Sequence, residues 1–84
     1  MPMDTQVIQQ ILEKSFPGAK VEVIDLVGDG DHLQALVISD LFESKTLLQQ
    51  HQMVYGVLKE ILKDQLHALA LKTYTPEQWR KSHV

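Results

Sequence analysis

The side chains of this 84-residue chain best suited to bind a metal are four histidines, His32, His51, His67 and His83, and two aspartates, Asp29 and Asp31, set in the turn Gly28-Asp29-Gly30-Asp31. There is no cysteine, so disulfides, thiolate zinc sites and cysteine nucleophiles are excluded. Neutral imidazole suits zinc, copper and iron. The two aspartates offer hard oxygen donors, but the bidentate glutamate that closes an EF-hand loop is missing. Aspartates in a glycine turn serve in the first place as turn residues. The same turn lacks the following helix and lysine of a phosphate-binding loop. Ser39, Ser44 and Thr46 have no base with an orienting partner nearby in the pattern, and no enzymatic activity is expected.

The elements that position these residues follow from periodicity. Val7, Ile8, Ile11, Leu12 and Phe16 form one apolar stripe at helical spacing, which predicts a helix from about Asp4 to Phe16 that Pro17-Gly18 stops. VEVIDLV (21–27) and HLQALVIS (32–39) are strands joined by the glycine turn as a hairpin. From about Thr46 to Leu62, apolar residues recur every three or four positions, as one helix or as two with a bend near Gln52 or Gly56. LHALALKTY (66–74) is a third strand, and Thr75-Pro76-Glu77-Gln78 opens a short final helix through a capping box. The order predicts an α+β domain over residues 1–84, with helices on one face of a three-stranded mixed sheet. Its first two strands are antiparallel, and the third is parallel to the second through a right-handed crossover.

That topology gives the histidines a meaning. His32 opens the second strand and His67 the third, so parallel neighbours would bring both to one rim beside the glycine turn. Two imidazoles are a partial metal site, because a partner must complete the coordination. A single histidine at a strand end is also a common structural feature. His51 lies within a helical apolar stripe and reads as a packing residue, as do Tyr55 and Trp79, although Trp79 would also serve as an exposed anchor. His83 stands in a tail.

Composition bounds the remainder. At 44% apolar and 23% charged residues the chain reads as a globular domain with one modest core. No apolar run is long enough to span a bilayer and the N-terminus does not read as a signal peptide, so the expected location is the cytoplasm. The net charge of −3 conceals a polarity. Residues 1–44 carry two lysines against eight carboxylates, and residues 45–84 carry six basic residues against three acidic ones.

Three segments, GDGDHLQ (28–34), SDLFESKTLLQQHQMVY (39–55) and HALALKTYTPEQW (67–79), resemble the BolA-like family across nearly the whole chain, most closely its short bacterial branch. The resemblance implies a class II KH-like fold, α-β-β-α-α-β with a short C-terminal helix. It implies a partnership with a monothiol glutaredoxin of the CGFS type and a [2Fe–2S] cluster shared with that partner and glutathione, with no cofactor in the isolated chain. The family's ligand histidine matches His67. A second ligand comes in many members from the loop between the first two strands, where this chain has no cysteine; His32 is the candidate, with Asp29 the alternative. The implied role is an adaptor in iron–sulfur trafficking or iron regulation, with links to stress response.

The alternative function is DNA binding in transcription regulation, which the resemblance also carries. Lys59, Lys63, Lys72, Arg80 and Lys81 would supply a basic face. The GxxG loop with which KH domains clamp a nucleic-acid backbone is absent, with QQHQMVYG in its place. No membrane partner is expected, and a weak homodimer is a further expectation.

Overall fold

The computed structural model describes residues 5–28, 32–63 and 69–82. Its elements are α1 (Thr5–Ser15), β1 (Lys20–Asp25), β2 (Leu33–Ile38), a 3-10 turn (Asp40–Phe42), α2 (Leu47–Leu62), β3 (Leu69–Tyr74) and α3 (Pro76–Ser82). The helix α1 ends where Gly18 turns to φ +80° and Ala19 N–H bonds the Phe16 carbonyl at 3.0 Å, the left-handed exit that glycine permits without strain.

The sheet order is β1-β2-β3, with β1 antiparallel and β3 parallel to β2. Both pairings are those expected from the sequence. Alternation along the strands directs Val21 and Val23 of β1, Leu33, Ala35 and Val37 of β2, and Leu69 of β3 into the core. Ile8, Leu12 and Phe16, from α1 and its end, pack on that face with Val54 and Leu58 of α2. Phe42 of the 3-10 turn is fully buried and meets the Phe16 ring at 5.4 Å between centroids.

Between β2 and β3, the two helices expected from the family resemblance are a single α-helix preceded by a 3-10 turn. The local chemistry accounts for this. Ser39 Oγ caps the turn by accepting from Leu41 N–H, and Ser44 at φ +65° then ends it. Thr46 and Gln49 start α2 with a reciprocal capping box, at 3.1 and 2.9 Å. Neither Gln52 nor Gly56 bends the helix: both lie on its exposed side, where nothing but helix backbone adjoins Gly56.

The inward line of α2 also differs from the apolar stripe. Gln50, Val54 and Leu58 are buried, whereas Leu47 and Leu48 are 62% and 67% exposed. Gln50 occupies a core position because its amide is satisfied there. Its Nε2 donates to the carbonyls of Phe42 and Lys45 at 3.3 and 3.1 Å, and its Oε1 accepts from Thr73 Oγ1 of β3 at 2.8 Å. A buried amide with such partners avoids the desolvation penalty of an orphaned one.

The final helix opens with the expected capping box, Thr75 and Gln78 exchanging bonds at 2.9 and 3.1 Å. It leaves the end of β3 and places Trp79 edge-on to Tyr74 at 5.3 Å. Tyr74 belongs to the register row Lys20–Ile38–Tyr74, which alternates away from the core face. Thus α1 and α2 cover one face of the sheet, and Trp79 packs at one end of the other. Its half-buried position there bears out the packing role.

Candidate functional site

The parallel register pairs Leu33 with Leu69, so β2 and β3 begin at the same end of the sheet. The hairpin between β1 and β2 closes at that end too, since Asp25 pairs with Leu33. Leu26 N–H extends the ladder by donating to the His32 carbonyl at 2.8 Å, which anchors the His32 backbone. Asp25 Oδ1 accepts from Gly28 N–H at 2.9 Å, and Gly28 holds φ +78°. A side-chain acceptor three residues back and a left-handed glycine together turn the chain out of β1 after Asp25. That is why the strand stops at Asp25 and does not continue to Val27.

His32 is exposed at this rim. His67 and Asp29 lie outside the described residues; His67 stands two positions before Leu69 in the chain. Among the described residues, no three histidines or carboxylates come together to hold a metal ion. A resident metal held by those residues alone does not fit the donor set. A nitrogen donor such as His32, sharing a metal centre with a second protein, does.

Three apolar residues near this end are exposed beside the polar Asp25 and His32. Ile24, Leu26 and Val27 are 39%, 50% and 66% exposed. The helix α2 reaches this end at its C-terminus, where Lys63 caps it by donating its N–H to the Lys59 carbonyl.

The five basic residues are all exposed but do not converge. The N-terminal part of α2 lies at the far end of β3, where Leu47 and His51 line a groove of about 270 Å³ with Leu71, Lys72, Thr73 and Tyr74. The helix therefore runs back toward the start of β3, carrying Lys59 and Lys63 to the rim. Arg80 and Lys81 follow the end of β3 on α3 and stand at the opposite end of the sheet, with Lys81 paired to Glu77 at 3.3 Å. Lys72 lies in the outward row Glu22–Leu36–Lys72.

Several hydroxyl groups, Ser39 and Thr46 of the sequence candidates among them, have structural partners. The side chains of Ser39, Thr46 and Thr75 cap helical turns, and Thr73 bonds Gln50. His51 is half-buried and edge-on to Tyr55 at 6.3 Å, a packing residue as its stripe position suggested. The Gln50–Thr73 contact was not foreseen; glutamine in a helical stripe carries no signal of burial. No helix among the described residues is long and apolar enough to cross a membrane.

The family follows from comparison with known proteins. The sequence model of the BolA-like protein family matches residues 7–78. This chain belongs to the BolA-like family. An uncharacterized protein of Rickettsia prowazekii is 43% identical over 74 residues, which cover 87% of this chain and 95% of that protein. The DNA-binding transcriptional regulator BolA of Escherichia coli K12 is 34% identical over 79 residues, covering 86% of this chain and 75% of the regulator. The solution structure of yeast Fra2 superimposes with a TM-score of 0.76 at 34% identity, over 96% of this chain and 88% of Fra2. The three helices and mixed sheet described above are the fold shared with Fra2.

Proposed function

We propose that this protein is a non-enzymatic adaptor that binds a monothiol CGFS glutaredoxin and shares a [2Fe–2S] cluster with it in iron–sulfur trafficking or iron regulation, in the cytoplasm. The observation that supports this reading most is the Leu33–Leu69 register, which starts β2 and β3 at the same end of the sheet; in the sequence His32 precedes the first of these residues by one position and His67 precedes the second by two. His67 would be the principal nitrogen ligand. His32, or Asp29 in its place, would be the second, while the partner's cysteine and glutathione supply sulfur. Imidazole in place of thiolate raises a cluster's potential and makes its ligation sensitive to protons. This chain's own part would be to supply its donors and leave the remaining coordination to the partner.

The test is anaerobic reconstitution of the cluster with this chain and a CGFS glutaredoxin. His67→Ala is expected to change the visible absorption and circular dichroism of the complex and to shorten the cluster's lifetime. Unchanged spectra and lifetime would remove His67 as a ligand.

The second reading, nucleic-acid binding, is favoured by the named role of the Escherichia coli relative. Against it stands the separation of Lys59 and Lys63, at the C-terminal end of α2, from Arg80 and Lys81 on α3. A gel-shift titration at several salt concentrations separates the readings. Binding confined to low salt and indifferent to sequence would be charge attraction only.

A further inference from the structure

We propose that Gln9 guards the open edge of β1, and that this edge pairs with the same strand of a second copy of the chain when the guard is removed. The inference stands apart from the metal reading and uses none of its residues. In the order β1-β2-β3, no strand among the described residues lies on the outer side of β1. The ladder decides which backbone groups face that side. Leu26 N–H donates to the His32 carbonyl, so Ile24–Gln34, Glu22–Leu36 and Lys20–Ile38 are the pairs that exchange hydrogen bonds across β1 and β2. The N–H and C=O groups of Val21, Val23 and Asp25 therefore turn outward. Val23 is the middle residue of the three, and its N–H donates to Gln9 Oε1 of α1 at 3.4 Å.

Packing fixes the guard in place. Ile8 and Leu12 bury α1 against the sheet, and Gln9 stands half-buried on the flank of that helix, lining a polar groove of about 320 Å³ with Gln6, Gln10 and Glu13. An edge strand presents backbone donors and acceptors that template further pairing, and the β-branched Val21, Val23 and Ile24 suit β1 to it. A second copy fits because the outward groups are self-complementary. A two-fold axis through Val23 sets Val23 against Val23 and Val21 against Asp25, so each outward donor meets an outward acceptor. On the exposed face the same register sets Glu22 against Ile24, with no like charges opposed; a shift of two residues would set Glu22 against Glu22. Gln9 holds the central donor of this ladder, so an arriving strand must displace it. At 3.4 Å the bond is long for N–H···O, and self-pairing of the intact chain is accordingly weak and not forbidden.

The experiment measures self-association of the purified chain by sedimentation equilibrium, with hydrogen exchange of the Val23 amide followed by NMR. Gln9→Ala and the nearly isosteric Gln9→Met remove the acceptor, whereas Gln9→Glu keeps one. A wild-type dimer gives up one Gln9 bond in each copy, and an acceptor-free dimer gives up none. The dimer dissociation constant of Gln9→Ala and Gln9→Met is therefore expected to fall roughly tenfold or more, with Gln9→Glu no tighter than wild type. In the acceptor-free variants the Val23 amide should exchange faster than in wild type when dilute and slower when concentrated. Far-UV circular dichroism confirms folding; the two acceptor-free variants differ in packing, so either one that folds decides the test. No tightening in them, an equal tightening in Gln9→Glu, or a dimer that leaves Val23 exchange unchanged would each overturn the assignment. Loss of folding in both would overturn it too, by making Gln9 a residue of the fold and not a guard.

Discussion

Thr73 and Gln50 are joined by a 2.8 Å hydrogen bond in the core, where one amide side chain ties β3 to α2 and to two carbonyls at the entry of that helix. Both residues are almost completely buried, so the bond is made where water cannot replace it. Replacing Gln50 by leucine leaves the Thr73 hydroxyl without its acceptor and the Lys45 carbonyl without its side-chain donor. The expected cost is about 2–4 kcal/mol, large against the total stability of a small domain. In a double-mutant cycle, Thr73→Val is expected to be less harmful in the Gln50→Leu background than in wild type, because the orphaned hydroxyl is then gone. Urea denaturation reads both; additive losses would show that the bond carries no coupling.

Glycines 28 and 56 are expected to respond in opposite directions to the same substitution. Neither has an atom within 4 Å of the position a β-carbon would take, so space decides nothing. Gly28 holds φ +78°, and Gly28→Ala forces an L-residue into the left-handed region at about 1–2 kcal/mol. Gly56 is on the exposed side of α2, and Gly56→Ala removes backbone freedom from the unfolded chain, stabilising by about 0.5–1 kcal/mol. Thermal unfolding of the two variants should show a fall and a rise in Tm.

The helix caps give a third expectation. Thr46→Ala removes the acceptor for Gln49 N–H and is expected to cost about 1 kcal/mol. Thr46→Ser keeps the hydroxyl and should recover most of it. Equal losses in both variants, measured by denaturant midpoint, would mean that the threonine methyl matters more than the capping bond.

A fourth expectation concerns the proposed ligand. A ligating imidazole must be neutral, so acidification should bleach the visible bands of the glutaredoxin complex as protons compete with the metal. His67→Cys substitutes a thiolate, which lowers the cluster's potential. Redox titration and a pH series of the visible spectrum check the two effects. A potential that stays at the wild-type value would place the ligand elsewhere.

Much of the fold was legible because it rests on periodicity. The stripe from Ile8 to Phe16 and the β-branched hairpin gave α1, β1 and β2, and the handedness of crossovers gave a parallel β3. The 3-10 turn was not legible, since it depends on a serine side chain capping its own neighbours and on the left-handed Ser44. Nor was the inward line of α2. Leucines 47 and 48 look like core by composition, and Gln50 becomes core only because three distant groups satisfy its amide. The common end of β2 and β3 was legible as topology, whereas the His67 expected beside it lies outside the described residues. The basic residues were legible as types but not as a surface, because the direction of α2 against β3 decides which of them are neighbours. The ligand role proposed for the rim rests on family resemblance, since spacing alone also allows two structural histidines.

The Leu33–Leu69 register also has a bearing on when the rim comes into existence. It is the pairing that follows the crossover, formed after a long loop has been closed against chain entropy, and such non-local parallel contacts are slow to form. The β1–β2 pairing joins residues close in sequence, whereas the β2–β3 pairing needs the whole of α2 between its partners. Any ability to hold metal that depends on that second pairing is withheld until the sheet is complete. A chain that ends before Leu69 therefore lacks the shared strand end altogether, however well its hairpin forms.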